Sequence, residues 1–479
     1  MKSKRIYPAF TISKKGEMSL KNGHPWVYCD ELRNEPEGLK NGELCDVFSE
    51  KGSYLGTGFL SLNSKIRIRI LSDNANENFS ENFFRRRIRY AIDYRKTVMG
   101  DDFSACRLIF GEADGMPGLT IDKYGDILVS QVLSYGMDMI KDMIFRLLVE
   151  ELEKDGVKVS GIMERNDVAI RKLEGLEQYK GWYSAGFLPE PPSNITEITE
   201  NGIRYEVDVE NGQKTGFFLD QKYNRLAVSK IAKGKKVLDC FTHTGSFALN
   251  AAMGGARHVT AVDVSQFAVD TARENAERNG LTDRMDFLCA DVFDLLPKLL
   301  EEKADYDMII LDPPAFTKSR KTVGSAERGY KEINYRAMRL LPRGGYLATC
   351  SCSHFMENRL FVKMVMSAAK DAGVQLKLIE ARQQAPDHPI LLNVPETDYL
   401  KFYLFIVEQL SGRTDKRQAL QILLFAGALA DKHDACILGA VAEDEMVPRL
   451  AEAAAPALRT RLLEFCPGFV HAFWLLFLG

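Results

Sequence analysis

Near the N-terminus, apolar and polar residues alternate within short segments that glycines interrupt. In KIRIRIL (65–71), the period of two predicts a strand with one apolar and one basic face. The basic face would carry Lys65, Arg67 and Arg69. We therefore predict a small β domain over residues 1–74 with a basic outer row.

The next segment, ENFFRRRIRYAIDYRKTVM (81–99), has a helical period instead. Apolar residues recur every four positions from Phe84, which predicts an amphipathic helix. Arg85 and Arg86 lie near its start. Such a run is as often a solvated helix face, but its position beside the basic strand favours a surface that contacts phosphate groups.

Residues 75–193 are predicted to combine this linking helix with a small α+β domain. GEADGMPGLTIDKYGD (111–126) places glycine turns between short strands, and MIKDMIFRLLVEEL after it has a helical pattern. GFLPEPPSN (186–194) is a proline-rich break, which we interpret as a linker.

Strands alternate with helical segments from residue 194 to residue 408. This alternation predicts an α/β fold with a doubly wound, mainly parallel, Rossmann-like sheet. The predicted strands are KKVLDCF, HVTAVDVS, MDFLCADV, YDMIILDPP, GGYLATCSCS and YLKFYLFIVE. Residues 409–479 are rich in Ala and Leu and are predicted to form a helical tail, to which we assign no role.

Composition narrows the class of protein. With 46% hydrophobic and 27% charged residues among 479, the chain has the balance of a soluble globular protein. No apolar run approaches the ~20 residues of a membrane span. The nine cysteines are odd in number and lack a CxxC pair, which argues against a disulfide framework or a metal site and favours a reducing cytoplasm. Because the net charge is only −3, a nucleic-acid partner would have to bind local basic patches.

VLDCFTHTGSFALNAA predicts a strand that ends at Asp239, then a Thr/Gly loop, then a helix from about Ser246. The loop does not match the GxGxxG pattern that cradles a pyrophosphate, so it suits a less anionic nucleoside. The candidate cofactor-binding residues of this loop are Phe241, Thr242, Thr244 and Gly245.

Two further acids follow the next predicted strands. Asp263 is placed to accept both ribose hydroxyls of a nucleoside, and Asp291 to accept a hydrogen bond from an adenine amino group. Each acid alone would more often be a helix N-cap. Three acids at successive strand ends, however, match the arrangement with which class I methyltransferases bind S-adenosylmethionine (SAM), so SAM is the predicted cofactor.

DPPAF (312–316) resembles the [DN]PP[YF] loop of methyltransferases that act on planar nitrogen-containing groups. The two prolines stiffen the loop, Asp312 supplies a hydrogen-bond acceptor, and Phe316 offers a face on which a base can stack. The alternative is a plain proline-rich turn.

TCSCS (349–353) follows the next predicted strand and so reaches the same sheet edge as Asp312. A metal would need further ligands, and only His354 is near. Cys350 and Cys352 are then either buried thiols or nucleophiles, and beside a methyl donor and a base-binding loop we favour a nucleophile. A thiolate that adds to carbon 6 of a pyrimidine makes carbon 5 able to attack a methyl group, whereas methylation of an exocyclic nitrogen needs no cysteine.

Several separated motifs within residues 5–408 resemble those of the RlmI-type (YccW-like) 23S ribosomal RNA large-subunit methyltransferases, which form 5-methylcytosine. NGHPWVY (22–28) resembles the start of that family's RNA-binding PUA domain, and GEADGMPGLTIDKYGD is similar to its middle domain. NGQKTGFFLDQKYNR (211–225) resembles its motif X, which closes over the methionine end of the cofactor. The resemblance assigns near-cofactor positions to Lys214, Thr215, Phe217, Asp220 and Gln221.

The resemblance also implies a reaction and a partner. The SCS cysteine of the family maps to Cys352, which we prefer over Cys350 as the nucleophile, and Asp312 joins them as a predicted catalytic residue. The expected substrate is a cytosine in 23S rRNA, free or in an early assembly intermediate, and a homodimer is one option for the oligomeric state. The candidate RNA contacts are Lys65, Arg67, Arg69, Arg85, Arg86 and Phe316.

Two alternatives stay open. One is a guanine-nitrogen methyltransferase on the same scaffold, against which the cysteines argue. The other is a catalytically silent RNA-binding assembly factor, against which the intact acids argue.

Overall fold

The computed structural model describes residues 6–189, 193–317 and 319–409. The predicted tail, apart from its first residue, and the centre of the predicted linker lie outside the described residues. Within the described ranges, no helix is long and apolar enough to cross a bilayer. Nor do three or more His, Cys, Asp or Glu side chains of these ranges form a group that could hold a metal ion.

The N-terminal part of the chain forms a five-stranded sheet with the order β1-β3-β4-β5-β2 and one helix, α1 (Lys14–Lys21). Phe10, Val27, Val47 and Ile68 have no exposed surface and pack together in its core. The apolar face predicted for the strand at Ile68 is therefore present. The five strands are β1 (Ala9–Ile12), β2 (Trp26–Tyr28), β3 (Leu44–Ser49), β4 (Tyr54–Leu60) and β5 (Ile66–Ser72).

The predicted basic outer row of β5 is only partly present. Lys65 is exposed, whereas Arg67 is half-buried and its guanidinium donates to two backbone oxygens. The prediction is wrong for Arg69, which is 8% exposed and pairs with Glu174 at 2.8 Å. The reason is that the middle of the chain covers this end of β5 and supplies the carboxylate that neutralises the arginine.

The linking helix α2 (Glu81–Met99) packs beside a second five-stranded sheet, whose order is β10-β9-β8-β7-β6. The predicted apolar stripe is buried, since Phe84, Ile88 and Ile92 are at most 3% exposed. The other elements here are β6 (Ala105–Phe110), β7 (Leu119–Tyr124), β8 (Ile127–Val132), α3 (Tyr135–Lys154), β9 (Gly161–Arg165) and β10 (Lys180–Trp182).

The arginines at the start of α2 do not form an open phosphate-binding surface. The Arg85 guanidinium donates to Glu150 at 2.7 Å and to Glu151 at 2.9 Å, both on α3. Arg86 pairs with Glu77 at 3.1 Å. Both arginines thus pair with carboxylates on neighbouring segments, Arg86 stays exposed, and their contact with RNA phosphates stays a prediction.

The C-terminal half builds a seven-stranded sheet with the order β15-β14-β13-β16-β17-β19-β18. The pairs from β15 to β17 are parallel, and β19 runs antiparallel to β17. Its strands are β13 (Lys236–Cys240), β14 (His258–Asp263), β15 (Met285–Cys289), β16 (Met308–Leu311), β17 (Gly345–Ser351), β18 (Val374–Arg382) and β19 (Lys401–Gln409). Its helices are α4 (Lys222–Ile231), α5 (Ser246–Met253), α6 (Gln266–Arg278), α7 (Val292–Glu301), α8 (Val323–Leu340) and α9 (Asn358–Ala372).

This sheet confirms the predicted α/β, doubly wound fold, while the domain boundaries at 74, 193 and 408 stay predictions. Three strands of the C-terminal half were not predicted. The hairpin β11 (Ile195–Glu200) and β12 (Ile203–Asp208) turns at Asn201 and Gly202, both with positive φ, so its Asn-Gly dipeptide was an available signal. β18 is mostly exposed, so it lacks the buried apolar run by which the other strands were recognised.

One buried ion pair should dominate the stability of the middle of the fold. Arg95 has no exposed surface and donates to both carboxylate oxygens of Asp114, at 2.6 and 2.7 Å. Arg95→Met should lower the free energy of unfolding by about 3–5 kcal/mol, because it leaves a carboxylate buried without its partner. Arg86→Met, which removes an exposed pair, should cost less than about 1 kcal/mol. Urea unfolding followed by circular dichroism measures both, and equal losses would contradict this account.

Candidate active site

The strand order reverses between β13 and β16, and ligands of doubly wound sheets bind outside the carboxyl ends of strands at such a point. The register of the parallel pairing places Cys240 of β13 beside Leu311 of β16, and Leu311 beside Thr349 of β17. The residues that follow these three positions are Phe241, Asp312 and Cys350, which therefore lie side by side, although Cys350 is still within β17. The predicted cofactor loop, the DPP loop and the cysteine motif share one edge.

The loop after β13 folds around the Asp239 carboxylate. Asp239 Oδ2 accepts hydrogen bonds from Thr242 Oγ1 at 2.6 Å and from the backbone N–H of Ala248 at 2.9 Å. Burial raises the pKa of Asp239 to about 7. Phe241 and His243 adopt positive φ, so the loop reaches a conformation that a glycine-rich loop reaches without strain.

Asp263 and Asp291 follow their strands as predicted, but they differ in environment. Asp263 is half-buried and accepts from the backbone N–H groups of His243 at 2.9 Å and Ser265 at 3.0 Å. Asp291 is exposed and caps α7 by accepting from the backbone N–H of Phe293 at 2.8 Å. Each carboxylate oxygen can accept more than one bond, so both acids retain capacity for a ligand.

The segment before α4 places Asp220 and Gln221 against the crevice. Asp220 Oδ2 accepts a hydrogen bond from the Tyr399 hydroxyl at 2.6 Å. Burial alone would raise the pKa of Asp220, but the positive charges of Lys214, His388 and Arg107 and the hydrogen bond from Tyr399 together outweigh burial and lower the pKa to about 2. Asp220 is therefore an ionised, buried carboxylate.

Two other residues of this segment serve the core rather than the crevice. Phe217 is 4% exposed and packs between Tyr205 and Arg225, with ring centroids 5.0 Å apart and the guanidinium 4.7 Å from its ring. Thr215 is buried and donates from Oγ1 to Asp122 on β7 at 2.6 Å. These contacts position the segment, and the near-cofactor role of Phe217 and Thr215 stays a prediction.

Asp312 lies at the centre of a small polar network. Gln221 Nε2 donates to Asp312 Oδ1 at 3.0 Å, and Asn224 Nδ2 in turn donates to Gln221 Oε1 at 2.7 Å. The thiol of Cys350 also hydrogen-bonds to Asp312. Burial raises the pKa of Asp312 to about 6, so near neutral pH this carboxylate is poised to exchange a proton.

The two cysteines are not equivalent. Cys350 lies inside β17 with no exposed surface, opposite Phe402 of β19, and burial raises its pKa well above the usual range. Cys352 lies just past the strand and is half-buried. Burial raises the pKa of the Cys352 thiol to about 11, although the charge of Lys214 opposes this. Cys352 is thus the thiol that a ligand can reach.

Sequence reasoning missed Lys401, a charged residue in an otherwise apolar strand. Its side chain is 4% exposed, and Nζ donates to the backbone oxygens of Ser353 at 2.6 Å and Tyr399 at 2.8 Å. Burial lowers the pKa of Lys401 to about 8, and its charge also acts on Cys352. No sequence signal distinguishes it from a solvent-facing lysine of an edge strand.

Phe316 of the DPP loop lies in an aromatic cluster above the same edge. Its ring is half-buried and lies 4.6 Å from the Tyr330 ring and 5.9 Å from the Phe293 ring, centroid to centroid. The Phe241 ring is 6.5 Å away. The cluster fixes Phe316, whose exposed part remains a candidate surface for base stacking.

Comparison with known proteins identifies the family. The S-adenosylmethionine-dependent methyltransferase family matches residues 168–405, and a PUA-like domain matches residues 10–73. The protein named Ribosomal RNA large subunit methyltransferase I from Photobacterium profundum is 44% identical over 400 residues, which are 83% of this chain and 98% of that protein. Its namesake from Klebsiella pneumoniae is 40% identical over 398 residues, or 83% and 97% of the two chains.

This chain belongs to the ribosomal RNA large subunit methyltransferase I family. Two solved structures share its fold. A Streptococcus mutans protein assigned to the SAM-dependent methyltransferases gives a TM-score of 0.70 at 24% identity, covering 83% of this chain and all of that one. A methyltransferase structure complexed with S-adenosylhomocysteine (SAH) gives 0.71 at 23% identity, with the same coverage of this chain. The predicted family, fold class and SAM cofactor are confirmed.

The crevice fits SAM. Asp220 Oδ1 and Asp239 Oδ1 are buried and have no hydrogen-bond partner among the described residues. SAM carries an ammonium group, ribose hydroxyls and an adenine amino group, which are donors of the kind these oxygens lack. When bound, SAM supplies an electrophilic methyl group on a sulfonium sulfur. Which residue holds which part of SAM stays a prediction.

We predict that Asp220→Asn weakens SAH binding about 10- to 100-fold, because it replaces an ionised acceptor of a charge-assisted hydrogen bond by a neutral amide. Isothermal titration calorimetry at about pH 6 and about pH 8 should give the same loss, since a carboxylate with a pKa near 2 is ionised at both. Asp270→Asn, on an exposed position of α6, is the matched control. Unchanged affinity in folded Asp220→Asn protein would contradict the assignment.

We also predict that iodoacetamide modifies Cys352 but not Cys350 in the folded protein. The rate at Cys352 should rise about tenfold per pH unit between about pH 8 and pH 10, since only the thiolate reacts and its pKa lies above this range. Lys214→Met should shift this profile to higher pH, because the positive charge of Lys214 opposes the rise of the Cys352 pKa, whereas Lys363→Met, at an exposed position of α9, should not. Peptide mass spectrometry measures each site, and equal labelling of both cysteines would overturn the distinction.

Proposed function

We propose that this protein transfers the methyl group of SAM to carbon 5 of a cytosine in 23S rRNA, with Cys352 as the covalent nucleophile. The observation that carries the proposal is the pair of cysteines at the active edge of the sheet. Cys350 is fully buried, whereas Cys352 is only half-buried and lies on the loop beside Asp312. A reachable thiol next to a methyl-donor crevice suits carbon methylation, which needs a nucleophile, better than nitrogen methylation, which does not.

The proposed chemistry divides between two groups of the chain. The Cys352 thiolate adds to carbon 6 of the cytosine and forms a carbon–sulfur bond, so that the ring electrons shift to carbon 5. Carbon 5 then attacks the methyl carbon, and the neutral thioether SAH leaves. A base removes the proton from carbon 5, and the electron pair expels the thiolate, which restores both the ring and the enzyme.

Two residues are candidates for that base. Asp312 has a pKa near 6, so it is largely ionised and able to accept a proton at neutral pH. His354 is half-buried, and its Nδ1 has no hydrogen-bond partner among the described residues. The carboxylate of Asp312 is also suited to accept a hydrogen bond from the amino group of the cytosine.

The rRNA substrate is supported by the names of the relatives, which act on ribosomal RNA of the large subunit. The PUA-like match over residues 10–73 supports an RNA partner as well. Of the basic residues considered for RNA contact, Lys65 retains an exposed side chain. Arg69, Arg85 and Arg86 are each paired with a carboxylate, so they could contact RNA phosphates only after those salt bridges break.

The proposed reaction is tested with wild type, Cys352→Ala and Cys350→Ala, labelled SAM and unmodified 23S rRNA, followed by nucleoside mass spectrometry. We expect label in 5-methylcytosine with wild type, and a loss of at least about a thousandfold with Cys352→Ala, because the covalent route is removed. Cys350→Ala should retain most activity. If only Cys350→Ala lost activity, the nucleophile would be Cys350 and not Cys352. Label in a methylated guanine would overturn the carbon-5 reaction.

Free rRNA should be a better substrate than the finished subunit. A cytosine must leave its stack before a thiolate reaches carbon 6, at a cost of a few kcal/mol that packed rRNA raises further. The order of substrate preference is measured from the initial rates of methylation on free 23S rRNA, on an early assembly intermediate and on mature large subunits. Equal or faster methylation of mature subunits would contradict it.

A further inference from the structure

A cavity of about 200 Å³ lies where three distant parts of the chain meet. Trp26 comes from β2, Phe110 and Glu112 come from the end of β6 and the turn after it, and Val394 and Glu396 come from the segment before β19. We call this the Trp26 cavity. The sequence motifs NGHPWVY and GEADGMPG, to which the proposed reaction gives no part, both contribute to its wall.

Hydrogen bonds fix the polar side chains of the Trp26 cavity. The indole Nε1 of Trp26 donates to Glu112 Oε1 at 2.9 Å. The backbone N–H of Trp26 donates to His24 Nδ1 at 3.4 Å, so His24 carries its proton on Nε2, which lies 3.2 Å from Glu396 Oε2. Both carboxylates are thus held at the wall by one donor each, and a carboxylate can accept further bonds.

Close backbone packing keeps the wall rigid. Gly23 has φ +85°, and a Cβ there would lie 1.9 Å from Asn393 Nδ2, which itself donates to the backbone oxygen of Asn22 at 3.2 Å. Gly118 has φ +77°, and a Cβ there would lie 2.8 Å from the Cβ of Ser134. Both glycines have a positive φ that other L residues adopt only with strain, and their close contacts bring neighbouring segments of the wall together.

The Trp26 cavity adjoins the active site. The Phe110 ring lies 6.4 Å from the Tyr399 ring, centroid to centroid, and the Tyr399 hydroxyl donates to Asp220 at 2.6 Å. On its other side, Glu396 interacts electrostatically with His354, two residues after Cys352. A ligand in the cavity would lie one side chain, Tyr399, away from Asp220 and one side chain, His354, away from the loop that carries Cys352.

We propose that the Trp26 cavity binds the base of a guanosine that flanks the methylated nucleotide in the RNA. The proposal rests on the function proposed above and names a second recognition site of the same substrate. Trp26 and Phe110 are half-buried aromatic rings, which suit the planar face of an unstacked base. The cavity is smaller than the roughly 300–1,000 Å³ of drug-sized ligand sites, so it suits a single base.

The two carboxylates select guanine among the four bases. The Watson–Crick edge of guanine presents an N1–H and an N2 amino group side by side, and a carboxylate accepts such a pair with both oxygens. Adenine, cytosine and uracil each have a single donor group on this edge, so they offer a carboxylate fewer hydrogens than the two adjacent donor groups of guanine. A phosphate is disfavoured, because Glu112 and Glu396 would repel it.

The first measurement is inosine scanning of a 23S rRNA fragment that contains the mapped methylated nucleotide. Inosine lacks only the N2 amino group of guanine. At one flanking position, guanosine→inosine should raise KM for wild type on the order of tenfold, the typical loss for a hydrogen bond to a charged group, with kcat changed less than about twofold. In the Glu112→Gln and Glu396→Gln proteins, replacing the same guanosine by inosine should raise KM less than about threefold. Glu37→Gln, on an exposed residue of the N-terminal sheet region, should behave as wild type.

A second measurement uses binding without turnover. Filter binding of the same fragments to Cys352→Ala protein should show the same penalty for inosine, and Trp26→Ala should remove it while Trp182→Phe, outside the cavity, keeps it. An inosine penalty that survives Trp26→Ala, or that is absent at every flanking position, overturns the cavity assignment. A cavity-dependent inosine penalty without any methylcytosine product would instead support this site and overturn the proposed reaction alone.

Discussion

The parallel register of β13, β16 and β17 is the constraint on which the site depends. Pairing of Cys240 with Leu311, and of Leu311 with Thr349, fixes where each strand ends. A slip of one residue would turn alternate side chains to the other face of the sheet, so the buried apolar residues of all three strands enforce this register together. Asp312 and Cys350 then lie beside each other without any contribution from loop flexibility.

A second constraint comes from the middle of the chain, which braces the cofactor end of the crevice. Arg107 donates to both oxygens of Asp122, at 2.8 Å each, and Asp122 also accepts from Thr215 at 2.6 Å. Asp122 has no exposed surface. This buried network fixes the segment that carries Asp220, so the α+β middle region is part of the active-site architecture and not only a connection between the PUA-like domain and the methyltransferase domain.

The sequence predicted the parts of the site that local pattern determines. The strands are continuous apolar runs, such as the fully buried Met308–Leu311, and the acids follow them directly, so the sheet edge and its chemistry could be inferred. Arg69 could not be placed correctly, because its partner Glu174 is distant in sequence. Lys401 was missed because its acceptors are backbone oxygens that no pattern marks. Ser353 lies in the loop after β17, and Tyr399 lies just before β19. Whether such a charged group is buried and paired depends on contacts with residues distant in sequence. These contacts leave no periodic pattern in the sequence.

The covalent role of Cys352 is the central claim, and trapping tests it most directly. In RNA with 5-fluorocytosine, a base cannot remove fluorine from carbon 5 as it removes a proton, so a methylated adduct with the enzyme should persist. Wild type and Cys350→Ala should give a SAM-dependent, denaturation-resistant protein–RNA complex, with peptide mass spectrometry placing the link on Cys352. Absence of an adduct from active wild-type enzyme, or its persistence in Cys352→Ala, would contradict the account.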